Sequence, residues 1–400
     1  MTESLMNPPP ITRDPLDDSA WLDLAQQWNL REGVTYLNHG SFGPSPRVVI
    51  EERCRWYREL ESEPMDFFTR RLEPALAEAR AAVGRFVGAS ADNLIFVDNA
   101  TVGMNIVAQS IDLHRSDEIL LNDHEYGAVK RIWEQHANAD GAKVIVQPIA
   151  TPIRSADDVV EAIFEGVTPR TRLIIVSHVT SATAVIFPIA AICRRARELG
   201  IPVCVDGPHA LAMTDVALDQ LGCDYYAASC HKWLCAPFGS GFLYVHPRRQ
   251  AEIRPVVVSW GRSYPPDLAP AWHNEFTWGG TRDLSAYLTV PTAIEFMQSA
   301  GIQAFRARAH ALVRQARLAI EAATGLEALV PDDPQWYGSM ISLPLPPGDA
   351  AALHRTLWER HRIEAPTFDW NGQRLVRPSA HLYTRQRDIE LLVEAIKALI

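Results

Sequence analysis

A chain of 400 residues with 47% hydrophobic and 22% charged residues is long enough to bury a sizeable core and too apolar to stay disordered. Its formal charge of −10 excludes a general nucleic-acid binder, because a phosphate backbone needs a concentrated basic surface. It leaves room for a small anionic ligand held by a few local donors.

The first residues, 1–18, are polar and proline-containing without an apolar centre, so no secretory signal is expected. Residues 1–33 read as an arm leading to the β-branched and aromatic run Val34-Thr35-Tyr36-Leu37. In 73–87, Leu76, Ala79, Val83 and Phe86 recur at helical spacing until Gly88-Ala89-Ser90. Short apolar strands then follow at Leu94-Ile95-Phe96-Val97, Ile119-Leu120-Leu121 and Val144-Ile145-Val146. A helix over 159–164 precedes Leu173-Ile174-Ile175-Val176, and one over 189–199 ends at Gly200 before Pro202-Val203-Cys204-Val205. Further strands are predicted at 224–228 and Phe242-Leu243-Tyr244-Val245, the latter introduced by Gly239-Ser240-Gly241. Residues 173–193 carry no charge and are long enough for a bilayer. Ser177, His178, Thr180, Ser181, Thr183 and Pro188 make a buried strand, a polar turn and a helix start the better reading, so no membrane segment is expected.

Apolar strands alternating with amphipathic helices define an α/β protein with a mainly parallel sheet covered on both faces. The Pro-rich stretch 264–270 interrupts this pattern. Beyond it, 285–300 and 302–325 read as two successive helices, Ile341-Ser342-Leu343 and Leu375-Val376-Arg377 as strands, and 387–400 as a closing helix. A boundary near 265–290 separates a large domain, 34–280, from a smaller C-terminal one, 281–400. The cysteines (Cys54, Cys193, Cys204, Cys223, Cys230 and Cys235) form no CxxC pair, so reduced thiols in a cytoplasmic protein and no metal site are expected.

Three features carry chemistry in order: Val205-Asp206-Gly207-Pro208-His209, Ser229-Cys230-His231-Lys232-Trp233 and Gly239-Ser240-Gly241. Asp206 follows an apolar strand and so emerges at the C-terminal edge of the sheet, where α/β proteins place ligands. Lys232 follows another. Alone, the acid reads as a helix cap and the lysine as a surface charge. Together they supply what pyridoxal 5′-phosphate requires: a lysine for the aldehyde and a carboxylate for the ring nitrogen. A lysine that forms a Schiff base must be neutral, hence desolvated or beside other cations, and His231 and Trp233-Leu234 flank this one. No GxGxxG follows a strand, and neither HExxH nor a P-loop occurs, which argues against a dinucleotide-dependent oxidoreductase.

These motifs resemble those of the class V aminotransferase family, from Tyr36-Leu37-Asn38-His39-Gly40 to the C-terminal helix. The resemblance is greatest to its isopenicillin N epimerase-like members, through Asp123-His124-Glu125-Tyr126-Gly127-Ala128 and Trp278-Gly279-Gly280-Thr281-Arg282-Asp283. It implies the fold of pyridoxal phosphate-dependent transferases: a large domain with a mainly parallel sheet of seven-stranded type and a smaller C-terminal α/β domain. It also implies that Lys232 carries the cofactor and Asp206 faces its ring nitrogen. Asn99-Ala100-Thr101-Val102 matches the phosphate loop, with Ser229 and His231 as further phosphate donors. His209 matches the partner of the phenolic oxygen. Tyr126 matches the aromatic residue stacked on the ring and is a candidate acid on its far face. Thr281 matches a threonine that reaches the neighbouring subunit's cofactor, implying a homodimer. Arg377 matches the clamp on the substrate carboxylate, and Asn38 and His39 the segment folding over the substrate.

Relatives that form a persulfide carry a cysteine shortly before this arginine. Residues 364–374 contain none, and no cysteine follows Cys235, so that chemistry is not expected. Ser181 stands where relatives often carry asparagine, and Ser181 or Thr183 could reach the site. Trp260, Trp272, Trp278 and Trp370 are candidates for a substrate pocket. The expected activity is epimerisation at the α-carbon of an amino acid or amino-acid side chain. β-Elimination by a C–S lyase, transamination and a catalytically silent cofactor-binding protein are the alternatives.

Overall fold

The computed structural model describes residues 13–261 and 270–400. Twelve strands are found among them. β1 (Thr35–Tyr36) comes first, followed by β2 (Leu94–Val97), β3 (Glu118–Asn122), β4 (Lys143–Gln147), β5 (Thr171–Ser177), β6 (Val203–Asp206), β7 (Tyr225–Ser229) and β8 (Gly241–Val245). β9 (Leu343–Leu345), β10 (Ile363–Glu364), β11 (Thr367–Trp370) and β12 (Gln373–Val376) belong to the C-terminal part.

Strands β2 to β8 form one seven-stranded sheet in the order β2-β8-β7-β6-β5-β3-β4. β8 pairs antiparallel with both neighbours; the other pairings are parallel. The period-2 alternation of a strand explains how one apolar run feeds two cores. Leu120, Ile174, Val176, Val203 and Val205 point to one face and join Val159, Ile163 and Ile192 from helices Ala156–Glu165 and Ile189–Glu198. Ile119, Leu121, Leu173, Ile175 and Cys204 point to the other, against helices Ala100–Ser110 and Gly127–Asp140. Each fully buried Ile or Leu here contributes roughly 1.5–3 kcal/mol of transfer free energy.

The C-terminal part has its own antiparallel sheet, β11-β12-β9. β1 pairs in parallel with β10, Thr35 opposite Ile363 and Tyr36 opposite Glu364, which ties the N-terminal segment to the C-terminal part.

Several predicted elements shift. The run 285–300 divides into Ser285–Leu288 and Val290–Ala300 at Pro291, because proline donates no N–H and is best placed in a first turn. The long helix ends at Thr324, with Gly325 in the left-handed conformation (φ 69°). Arg47–Ser62 is a helix that apolar periodicity did not reveal, since only Val49 and Leu60 of it are buried. The Pro-rich stretch lies, except for Pro270, outside the described residues, as do residues 1–12 of the arm read over 1–33. Among the described residues, no helix is long and apolar enough to cross a membrane.

Candidate active site

The parallel strand ends are in register, Ser177 opposite Asp206 and Asp206 opposite Ala227, so the residues leaving them gather at one sheet edge. A cavity of about 350 Å³ opens there; Thr101, Tyr126, Asp206, His209, Lys232 and Arg377 are among its lining residues.

Asn99 caps the helix Ala100–Ser110. Its Oδ1 accepts from the Val102 amide at 3.0 Å, its carbonyl accepts from Gly103 at 3.2 Å, and the Ala100 amide donates to Ser229 Oγ at 2.9 Å. The four first-turn donors of a helix lack intrahelical partners. Of these, the Ala100 and Val102 amides are met here, while the Thr101 amide is left for an anion in the cavity, with the helix dipole favouring negative charge. Gly103 lets this helix lie close on the sheet, since a Cβ there would stand 2.9 Å from that of Ala227.

Lys232 follows β7, and its Nζ lies 2.8 Å from His209 Nε2. Burial pushes its pKa down to about 7; Asp206 opposes the shift and Arg377 reinforces it. An ammonium so perturbed is readily neutralised, which frees its lone pair. Burial, then the charges of Lys232 and Arg377, holds His209 well below the usual imidazole range, so it is neutral. Burial raises the Asp206 carboxyl, Glu125 adds to this, and Lys232 pulls it back. Arg377 keeps its charge although burial lowers its pKa to about 10. Its Nη1 donates to the Ser181 carbonyl and, at 3.3 Å, to Ser181 Oγ, while Nη2 donates to Ser41 Oγ at 3.0 Å.

These residues fit pyridoxal phosphate. His209 Nδ1 and His231 Nδ1 are buried without hydrogen-bond partners, and no hydrogen bond contributes to the Asp206 carboxyl, which is left for an N–H from a ligand. A model of the Aminotransferase class-V family matches residues 35–392. Isopenicillin N epimerase of Amycolatopsis lactamdurans is 38% identical over 400 residues, covering 95% of this chain and 99% of that protein. The chain belongs to the class V aminotransferase family. Two solved structures of C-DES, each 25% identical, share the fold. One is a mutant with glycine covalently linked to its PLP cofactor (TM-score 0.80, covering 93% of this chain and 98% of that one). The other is the cystine C–S lyase with its reaction product cysteine persulfide (TM-score 0.78, covering 92% and 98%).

As a class V chain it is sparing with lysine: Lys130, Lys143, Lys232 and Lys397 are the only four. Of these, Lys232 alone lines the cavity.

Some expected residues stand elsewhere. Asn38 Nδ2 donates to Glu364 at 3.2 Å. His39 is fully buried, 2.9 Å from the Tyr383 hydroxyl through Nδ1 and 3.1 Å from the Lys232 carbonyl through Nε2. From this segment Gly40, Ser41 and Phe42 line the cavity, and Asn38 and His39 stand outside its lining. Gly43 lets the segment run close beneath, since a Cβ would stand 2.5 Å from the His231 carbonyl. Val102 contributes its amide but is absent from the lining, and Thr281 is exposed and outside this chain's cavity. Thr183 turns away to His124 Nδ1, 2.7 Å distant.

None of the four tryptophans lines the cavity. Trp260 is exposed, Trp272 donates to the Asp92 carbonyl, Trp278 packs edge-on against Phe68, and Trp370 lies on His124. Glu125 belongs to the motif Asp123-His124-Glu125-Tyr126-Gly127-Ala128. It is buried beside Ser177, whose N–H and Oγ–H donate to it at 2.9 and 2.6 Å. Among the described residues His39, Cys235 and His381 have donor atoms all within 4.8 Å, close enough for a metal ion. The two Nε2 atoms already face the Lys232 and Trp233 carbonyls, however.

Proposed function

We propose that this enzyme holds pyridoxal phosphate on Lys232 and epimerises the α-carbon of an amino acid or amino-acid-bearing side chain. The observation that carries the reading is the 38% identity to an isopenicillin N epimerase over nearly the full length of both proteins. It is supported by a buried amine at one sheet edge with a carboxylate, a neutral imidazole and an arginine around the same cavity.

The phosphate would be held by the Thr101 amide and hydroxyl, with Ser229 and His231, at a helix start. His209 would hydrogen-bond the phenolic oxygen and hold Lys232 Nζ in place. Asp206 would keep the ring nitrogen protonated. Bound there, the cofactor supplies a sink for the electron pair left when a bond to Cα breaks. Arg377 would meet both oxygens of the substrate carboxylate with its planar fork, exchanging its contacts with Ser41 and Ser181. That grip fixes which Cα bond faces Lys232. Lys232 Nζ, neutral after substrate displaces it, takes the Cα proton. Tyr126, on the cavity wall, returns a proton from the opposite face.

β-Elimination is the rival, supported by the likeness to the cystine C–S lyase. It needs the same base and carboxylate clamp but no second acid. Incubating candidate amino acids and amino-acid-bearing peptides in heavy water decides between them. Epimerisation predicts deuterium at Cα with the substrate skeleton intact and configuration scrambled. Release of pyruvate and ammonia from a thioether would contradict it. The molecule is further proposed to work as a homodimer, with Thr281 of each copy reaching the other's phosphate.

A further inference from the structure

Strand β12, which Arg377 directly follows, begins in a hairpin whose tip touches the loop carrying Tyr126. Trp370 pairs with Gln373 across a two-residue turn. That turn, Asn371-Gly372, has positive φ at both positions (46° and 75°), the geometry that Asn-Gly adopts in tight hairpins. It projects Asn371 so that Nδ2 donates to Asp123 Oδ2 at 2.6 Å. Beside it, Trp370 Nε1 donates to the Asp123 carbonyl at 3.2 Å. Asp123 is three residues before Tyr126, and its other oxygen, Oδ1, accepts from the Ile149 amide at 2.9 Å.

The Trp370 ring also lies 4.6 Å from that of His124, which is fully buried. His124 continues the connection: its Nδ1 is 2.7 Å from Thr183 Oγ1, and that hydroxyl is 2.7 Å from Thr180 Oγ1. Thr180 and Thr183 bracket Ser181, whose carbonyl accepts from Arg377. The contacts therefore close a ring. It runs from the Tyr126 loop through His124 to the Ser181 turn, on to Arg377, and back along β12 to the hairpin tip.

We infer that Trp370 and Asn371 are positioning residues, a latch that sets Tyr126 and Arg377 relative to each other across the cavity. Neither residue lines the cavity, and the latch acts through Asp123 and His124. Its geometry stands on the contacts above; its consequence for ligand affinity rests on the reading of Arg377 as the carboxylate clamp.

Three variants weaken the latch and spare the turn. Asn371→Gly tolerates the positive φ and deletes the amide, and Asn371→Asp tolerates it and sets a carboxylate against Asp123. Trp370→Phe keeps ring packing and deletes the Nε1 donor. Hydrogen exchange of the cofactor-loaded enzyme is expected to accelerate over residues 122–128 in all three, most in Asn371→Asp, with 203–206 unchanged. Unchanged exchange over 122–128 overturns the latch, as does uniform acceleration, which marks a global loss of stability.

Glycine titration followed by cofactor absorbance reads the consequence. The latch variants are expected to weaken glycine about threefold to tenfold, the scale of one lost hydrogen bond, at unchanged cofactor affinity. If Arg377→Ala leaves the glycine response as in wild type, the clamp reading fails while the exchange result still judges the latch. If Arg377→Ala weakens glycine and the latch variants do not, the latch is overturned as a determinant of ligand binding.

Discussion

The chemistry at the cavity turns on how burial resets two groups of opposite sign. Lys232 loses affinity for its proton because the charged form is desolvated, and Asp206 gains affinity for the same reason. With its pKa lowered from 10.5 to about 7, Lys232 is neutral above about pH 7, where an exposed lysine would stay charged. Incorporation of the cofactor into the apoenzyme should thus speed up as pH rises through 7 and level off beyond. Between pH 6 and pH 8 the neutral fraction grows about tenfold for a pKa near 7, and stopped-flow absorbance should follow it. A rate still climbing tenfold per unit above pH 9 would show an unperturbed lysine. Asp206→Asn should keep the cavity's shape but remove the charge that stabilises a protonated ring nitrogen. Turnover should fall by on the order of 10²–10³ while the cofactor remains bound, as steady-state kinetics and dialysis would show. Asp206 and Lys232 were legible in sequence because each follows an apolar strand. Glu125 was not, because its significance depends on Ser177, which comes from a different strand.

At the scale of elements, the helix Ala100–Ser110 is useful because its first turn meets the strand ends, and Gly103 sets how close it comes. Two effects oppose each other in Gly103→Ala. Helix propensity favours alanine by roughly 0.5–1 kcal/mol, but a Cβ 2.9 Å from that of Ala227 must displace helix or strand. Overpacking typically costs about 1–3 kcal/mol, so net destabilisation should win and urea unfolding should detect it. Cofactor affinity should fall too, since the Thr101 amide moves with the helix. The strands of the central sheet were readable as apolar runs bounded by turn residues. The helix Arg47–Ser62 was not, because it buries so few side chains. The small hairpin β11-β12 shows another limit: Asn371-Gly372 signals a turn, yet nothing local to it tells that the tip meets Asp123.

For the whole molecule, the alternation of strands and helices was enough to specify a mainly parallel α/β sheet, and the seven-stranded order agrees. The segment 38–43 owes its position to distant partners. Pairing of β1 with β10 goes with His39 turned inward to the Lys232 carbonyl, while Ser41 and Phe42 line the cavity. Such placement depends on a strand more than 300 residues away, which no local pattern encodes. If two copies complete each other's phosphate sites, sedimentation should give a dimer at micromolar concentration. Thr281→Ala should then weaken cofactor binding without altering monomer stability, and a monomer with full affinity would contradict the shared site.

Whether Lys232 bonds covalently to pyridoxal phosphate is read by borohydride reduction of the reconstituted enzyme followed by peptide mass spectrometry. One irreversible pyridoxyl label is expected, on the peptide containing Lys232, and none on Lys130, Lys143 or Lys397. A label on another lysine, or an enzyme that reduction leaves unmodified, would contradict it.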